Sequence, residues 1–169
     1  MTVYTINLAM AVFHLAQVNV ARLVAPLDSP QLIGFVSRLD EVNALADRAP
    51  GFVWRLTGDG GNDATAVPIY DDDRIIVNMS VWESIAALRA YVYSGAHLEI
   101  YKQRRDWFSY MKEAATAMWW VPAGHVPDVA EARERLAHLR AHGPTAFAFP
   151  FGAPFPPPAE APYEAQSGA

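Results

Sequence analysis

Between residues 91 and 108 the sequence runs Tyr-Val-Tyr-Ser-Gly-Ala-His-Leu-Glu-Ile-Tyr-Lys-Gln-Arg-Arg-Asp-Trp-Phe. Nowhere else do an imidazole, a basic pair and large aromatic rings fall so close together. In a helix starting near Ala96, His97, Tyr101, Arg104 or Arg105, and Phe108 recur at steps of three and four, which puts them on one face. The chemistry on offer there is acid–base catalysis. Histidine titrates near neutrality, and Arg104 or Arg105 would hold an anionic or enolate-like oxygen. The plainer reading is a helix with buried rings and solvent-facing arginines.

The remaining histidines are weaker candidates. His14 lies in a run of strand character, where a buried, hydrogen-bonded ring is the ordinary outcome. His125 follows Pro122-Ala-Gly, a turn. His138 and His142 stand four apart but lack the intervening glutamate of a zincin helix. Asp71, Asp72 and Asp73 do not have the spacing of an EF-hand loop and read as a solvated turn. No metal site is expected. Phosphate-binding loops, nucleophile elbows and paired-carboxylate motifs are missing as well.

The elements that must position His97 follow from periodicity. Residues 13–20 alternate as a strand, with Phe13, Leu15, Gln17 and Asn19 on one face and His14, Ala16, Val18 and Val20 on the other. Ser29-Pro30 opens a helix that Pro50-Gly51 ends. Phe52–Leu56 and Ile75–Trp82 read as an antiparallel strand pair joined by a long Gly/Asp-rich loop. On the second of these, Ile76, Asn78, Ser80 and Trp82 share a face more polar than a core needs. Ser84 caps a further helix, and Ser94-Gly95 allows a bend before the segment carrying His97. Thr116–Val121 is a fourth strand, whose adjacent Trp119 and Trp120 must point to opposite faces. Asp128 and Glu131 have capping-box spacing for a last helix, which ends at Gly143-Pro144.

The strand–helix–strand–strand–helix–strand order predicts an α+β, ferredoxin-like split βαβ domain over residues 1–143. Its four-stranded antiparallel sheet carries helices on one face. The other face, lined by Ala16, Val18, Val77 and a tryptophan, would need covering, and a homodimer is the expected remedy. Residues 144–169, dense in proline and phenylalanine, read as an irregular tail, dispensable for folding.

Composition narrows the function. A net charge of −5 without a basic run argues against nucleic acid. The chain has no cysteine, so disulfides and thiol chemistry are excluded, and a reducing cytoplasm is the natural setting. The first 21 residues carry no charged side chain, but polar residues interrupt them too often for a bilayer span, and no basic start suggests a secretory signal. A cytoplasmic protein that does not engage a membrane is expected.

Four stretches also carry a resemblance. Phe13-His-Leu-Ala-Gln-Val-Asn-Val, Arg74-Ile-Ile-Val-Asn-Met-Ser-Val-Trp-Glu-Ser, Ala96-His97 with Arg104-Arg105-Asp106-Trp107-Phe108, and Trp119-Trp-Val-Pro-Ala-Gly-His125 resemble a bacterial family known only as a domain of unknown function. It is similar in fold to the dimeric α+β barrels, the superfamily of antibiotic-biosynthesis monooxygenases and haem-dependent chlorite dismutases. The resemblance covers about residues 13–143, leaving the tail outside. It implies a small-molecule enzyme that oxygenates, rearranges or cyclises an aromatic or polyketide-like metabolite without a cofactor. His97 would be the acid or base. Trp54, Asn78, Trp82, Tyr101, Phe108 and one of Trp119 and Trp120 would wall the pocket between sheet and helices. Two alternatives stay open: a non-catalytic ligand-binding or interaction module, and a haem enzyme with His97 as axial ligand.

Overall fold

The computed structural model describes residues 12–158. Strand β1 (Phe13–Leu23) is the longest, and the other strands assemble on it. After a 3-10 turn at Pro30–Leu32 come α1 (Ile33–Val36) and α2 (Leu39–Asp47), then β2 (Phe52–Arg55) and β3 (Ile75–Trp82). The helical hairpin α3 (Ile85–Val92) and α4 (Gly95–Trp107) leads through β4 (Phe108–Ser109) to β5 (Thr116–Pro122) and the final helix α5 (Val129–His142). The expected caps form: Ser84 Oγ accepts the Ala87 N–H at 3.1 Å, and Asp128 Oδ1 accepts that of Glu131 at 2.8 Å. The single helix expected from Ser29 onward is instead broken into the 3-10 turn, α1 and α2.

The sheet is antiparallel and has five strands, not four. The extra one, β4, is a two-residue pairing of Phe108 and Ser109 with Leu23 and Arg22. It continues along the edge of β1 that β5 leaves free, because β5 pairs only with Phe13–Asn19. β3 takes the other side of β1, and β2 lies beyond it, with a register shift between Phe52 and Trp54.

Strand alternation sorts the side chains into two layers. On one face, Ala16, Val18, Val20, Val77, Met79, Val81, Ala117, Trp119 and Val121 are buried under Ala132, Leu136 and Leu139 of α5 and under Ala64 and Ile69 of the long loop. Each Val, Leu, Ile or Met among them contributes about 1.5–3 kcal/mol on full burial. This is the face expected to be bare. The chain covers it with its own last helix, so the helices do not all lie on one side, and a homodimer through this face would require α5 to leave it. The opposite face carries two separate clusters. Leu15, Trp82, Leu88, Met118 and Phe149 form one, and Leu23, Leu32, Phe35 and Trp107 the other.

Residues 144–158 are irregular in backbone but packed. The Phe149 N–H and C=O exchange hydrogen bonds with Met118 at 2.9 and 2.8 Å, closing the outer edge of β5. Phe149 is fully buried. A tail read as dispensable therefore supplies a core side chain, because one antiparallel bridge is enough to aim a phenylalanine inward.

Candidate functional site

Between the two clusters on the α1–α4 side, the sheet presents a stripe of uncharged polar groups. The register aligns Thr116, Asn19 and Asn78 across β5, β1 and β3, with Met118, Gln17 and Ser80 in the next row and Trp120, Leu15 and Trp82 after that. Gln17 Nε2 donates to Asn78 Oδ1 and Ser80 Oγ, both at 3.0 Å. Trp82 Nε1 donates to Ser80 Oγ at 2.8 Å, and Asn19 Nδ2 to Thr116 Oγ1 at 2.7 Å. Ser80 is buried, whereas Asn78, in the middle of β3, is exposed. Its Oδ1 accepts from Gln17, and among the described residues Asn78 Nδ2 gives neither of its hydrogens to a partner. This floor accounts for the polar residues that alternation places on β1 and β3; Thr116 and the amide linkages were not legible in the sequence.

Above the floor's Trp82 end stand the aromatic groups of the α3–α4 corner. Tyr91 stacks on Trp82, with centroids 5.1 Å apart and planes at 26°, and its hydroxyl donates to the Val42 carbonyl at 3.2 Å. Burial, reinforced by the Asp47 charge and opposed by Arg55, pushes the Tyr91 phenol up to about 12, so it stays neutral. The His97 ring packs against Tyr91 at 5.1 Å. Its Nδ1 lies 3.0 Å from the Val92 carbonyl, which can only accept, so Nδ1 carries the proton of the neutral ring and Nε2 the lone pair. Burial lowers the His97 pKa below its ordinary value, more than the Val92 bond raises it. The same bond satisfies a carbonyl at the end of α3, a structural duty.

The other candidates scatter. Tyr101 is 51 % exposed. Arg104 folds over its ring, 3.8 Å from guanidinium carbon to centroid, and donates to the Tyr101 carbonyl at 2.8 Å. Arg105 is exposed. Phe108 lies beyond the end of α4 and packs on Phe35 at 5.1 Å in the far cluster. Thus α4 does not gather His97, Tyr101, both arginines and Phe108 into one site. Trp54 and Trp119 belong to the opposite face, against the α5 core. Asn78, Trp82 and Trp120 remain on the candidate side. Trp119 Nε1 donates instead to Glu131 Oε1 at 2.7 Å, and Glu131 Oε2 meets His125 Nε2 at 2.7 Å. His138 bonds Thr145 Oγ1 at 2.8 Å and packs on His142. Among the described residues no group of three or more His, Asp or Glu side chains could hold a metal.

For haem, His97 has the Nδ1-to-carbonyl tie of an axial ligand. Yet Tyr91 and Trp82 fill the space between that ring and the sheet. A porphyrin lying there would displace the stack, so the residues do not fit the group, and no step is derived through it.

These features define an α+β domain whose antiparallel sheet presents a row of hydrogen-bonded amide and hydroxyl side chains on the face towards α1–α4. The chain belongs to the DUF3291 family, a domain of unknown function, whose profile matches residues 14–165. The match includes most of the proline-rich tail, which the sequence resemblance left outside. A search of curated proteins finds no match. Among solved structures, SnoaB, a cofactor-independent oxygenase from Streptomyces nogalater, is similar at 19 % identity over 67 % of this chain and 95 % of that one, with a TM-score of 0.43. The Mycobacterium tuberculosis protein Rv0793 is similar at 12 % identity over 68 % and 97 % of the two chains, TM-score 0.46. A conserved protein from Methanosarcina mazei is similar at 10 % identity over 65 % and 92 %, TM-score 0.45. These are loose likenesses at low identity, and the oxygenase activity is SnoaB's. Among the described residues no helix is long and apolar enough to cross a membrane.

Proposed function

We propose that this chain is a small-molecule enzyme. It would hold an aromatic or polyketide-like metabolite between sheet and helices and oxygenate or rearrange it without a bound cofactor. The observation that carries the reading is the exposure of Asn78 in a central strand, on the same face as the buried Ser80 and Trp82, at the end of a hydrogen-bonded amide chain. Buried polar networks are costly unless satisfied. One left open to solvent in mid-sheet suits a ligand with carbonyl or hydroxyl groups along one edge. His97, neutral and with its proton held on Nδ1, is the proposed acid or base, acting through Nε2. Arg104 is committed to Tyr101, so we assign the arginines no part in catalysis.

The test is native mass spectrometry of the purified protein for a co-purifying metabolite, followed by binding of that compound to Asn78→Leu. Loss of one or two amide hydrogen bonds should weaken binding by about tenfold or more while the melting midpoint stays near wild type. Unchanged affinity in Asn78→Leu would remove the floor from the site. If His97→Gln binds normally but turns over more slowly by about 10²–10⁴-fold, the acid–base role stands. Full turnover in that variant would leave His97 only its contact with Val92.

A further inference from the structure

Between the end of α2 and one face of α3 lies a groove of about 460 Å³, a size that takes a small organic molecule. Leu45 of α2 and Ala49 just beyond it line one side, and Ala87, Ala90 and Tyr91 of α3 the other. With Glu83 before the helix and Ser94 after it, the α3 side recurs at helical steps, so the groove follows that helix end to end. The eight residues of α3 give it a length of about 12 Å.

Its walls are tied in place. The Tyr91 hydroxyl donates to the Val42 carbonyl at 3.2 Å, which joins α3 to α2. The Glu83 N–H donates to the Gly51 carbonyl at 2.8 Å, which joins the loop after α2 to the end of β3. Gly51 has φ of 78°, and a Cβ there would lie 2.6 Å from the Ala87 Cβ, so loop and helix meet with no side chain between them. A groove fixed in this way needs little ordering when it is filled. Its lining is apolar except at the two ends. Among the described residues Glu83 is the charged one that lines it, and its exposed carboxylate takes part in no ion pair. At the other end, the Ser94 hydroxyl makes no bond to the first turn of α4. Asp47, near Tyr91, is already paired with Arg55.

We propose that this groove binds an elongated small-molecule amine, its apolar chain lying along α3 and its ammonium meeting the Glu83 carboxylate. The small side chains of Ala87 and Ala90 leave the width for an alkyl or aryl chain. A lone carboxylate at one end selects a cation over a neutral or anionic group of the same length. Because Glu83 stays in contact with solvent, the ion pair sets preference, and the apolar contact supplies most of the affinity. This site is independent of the metabolite proposed for the amide row, and neither reading falls with the other.

The probe is octylamine, protonated near neutral pH, set against octanol and octanoate and titrated into the isotope-labelled full chain. Backbone amide shifts in the NMR spectrum report both affinity and place. The amine should bind with a Kd of about 1 mM or tighter and shift the amides of Ala49, Gly51, Ala87 and Ala90. It should bind about twofold to fivefold more tightly than octanol, the range an exposed ion pair carries, with octanoate weaker than either. Glu83→Gln should remove the amine's advantage and leave octanol as it was. Ala90→Phe, at an exposed position, puts a ring in the groove and should weaken amine and octanol alike by about tenfold or more. Equal affinity for amine and octanol, or an advantage that survives Glu83→Gln, overturns the cationic ligand. Shifts confined to other parts of the chain, or none with any probe, overturn the groove as a site. If native mass spectrometry shows a dimer that Ala90→Phe splits, the groove seats a second copy and the proposal falls. Should Ala90→Phe fail to fold, the shift map and Glu83→Gln decide without it.

Discussion

Phe149→Ala is the substitution on which the packing account of the tail depends. The side chain is fully buried among Leu15, Trp82, Leu88 and Met118. Its ring faces Phe155 at 5.9 Å, and its backbone is fixed by the pair of bonds to Met118. Neighbours pinned by a sheet relax little into the space left, so the loss lies in the range for buried Phe→Ala, about 3–5 kcal/mol. For a chain of this size each kcal/mol moves the midpoint by about 2–4 °C, giving a fall of roughly 6–20 °C. Since whole domains are stable by about 5–15 kcal/mol, much of the reserve would go. Differential scanning calorimetry on the full chain measures this. Phe151→Ala, whose ring is only half-buried, is the control and should cost about 1 kcal/mol or less. Truncation after Gly143 should cost at least as much as Phe149→Ala, because it also uncovers the β5 edge. If Phe149→Ala melts within about 2 °C of wild type, the tail is not part of the core and the reasoning fails.

Three further outcomes follow from individual contacts. Glu131→Ala leaves the buried Trp119 N–H without its acceptor and should destabilise by about 1–3 kcal/mol, read from urea midpoints, while Trp119→Phe in the same background should recover part of that. Burial places the His97 pKa below the 6.5 of an unfolded histidine, so the unfolded chain takes the proton first. Its contribution is full above about pH 6.5 and is lost as pH falls towards the folded pKa; the fall in midpoint from pH 7 to 5.5 should therefore shrink in His97→Gln, and parallel profiles would contradict the burial effect. Arg104→Ala and Arg105→Ala, at an exposed ring stack and an exposed position, should each stay within about 0.5 kcal/mol of wild type by chemical denaturation.

What could be read in advance depended on whether the signal was local. Alternation along Phe13–Asn19 and Ile76–Trp82 is a property of neighbouring residues, and it foretold both strands and the polar character of one face. Ser84 and Asp128 cap as their spacing requires. The α4 face failed because a helical repeat says which residues stand together, not which side turns inward. Among the described side chains of α4 Trp107 is the buried one, and Tyr101 with Arg104 points away. β4 was missed because two residues have no periodicity. The apolar stripe of α5 was legible as Val129, Ala132, Leu136 and Leu139, but nothing local says which sheet face it will cover. Proline density concealed the tail, since its order comes from the bridge to Met118, the Trp120 indole bond and the bonds from Arg135 and His138 of α5, all made to residues outside it.

The position of α5 also bears on molecularity. A sheet whose second face is closed by a partner forms by a second-order event and pays for lost translational freedom, so its stability climbs with concentration. Here the closure of Ala16, Val18, Val77 and Trp119 is tethered through the Pro122–Asp128 connection, and the helix is always at high effective concentration over the sheet. Closure of that face is first-order and indifferent to dilution.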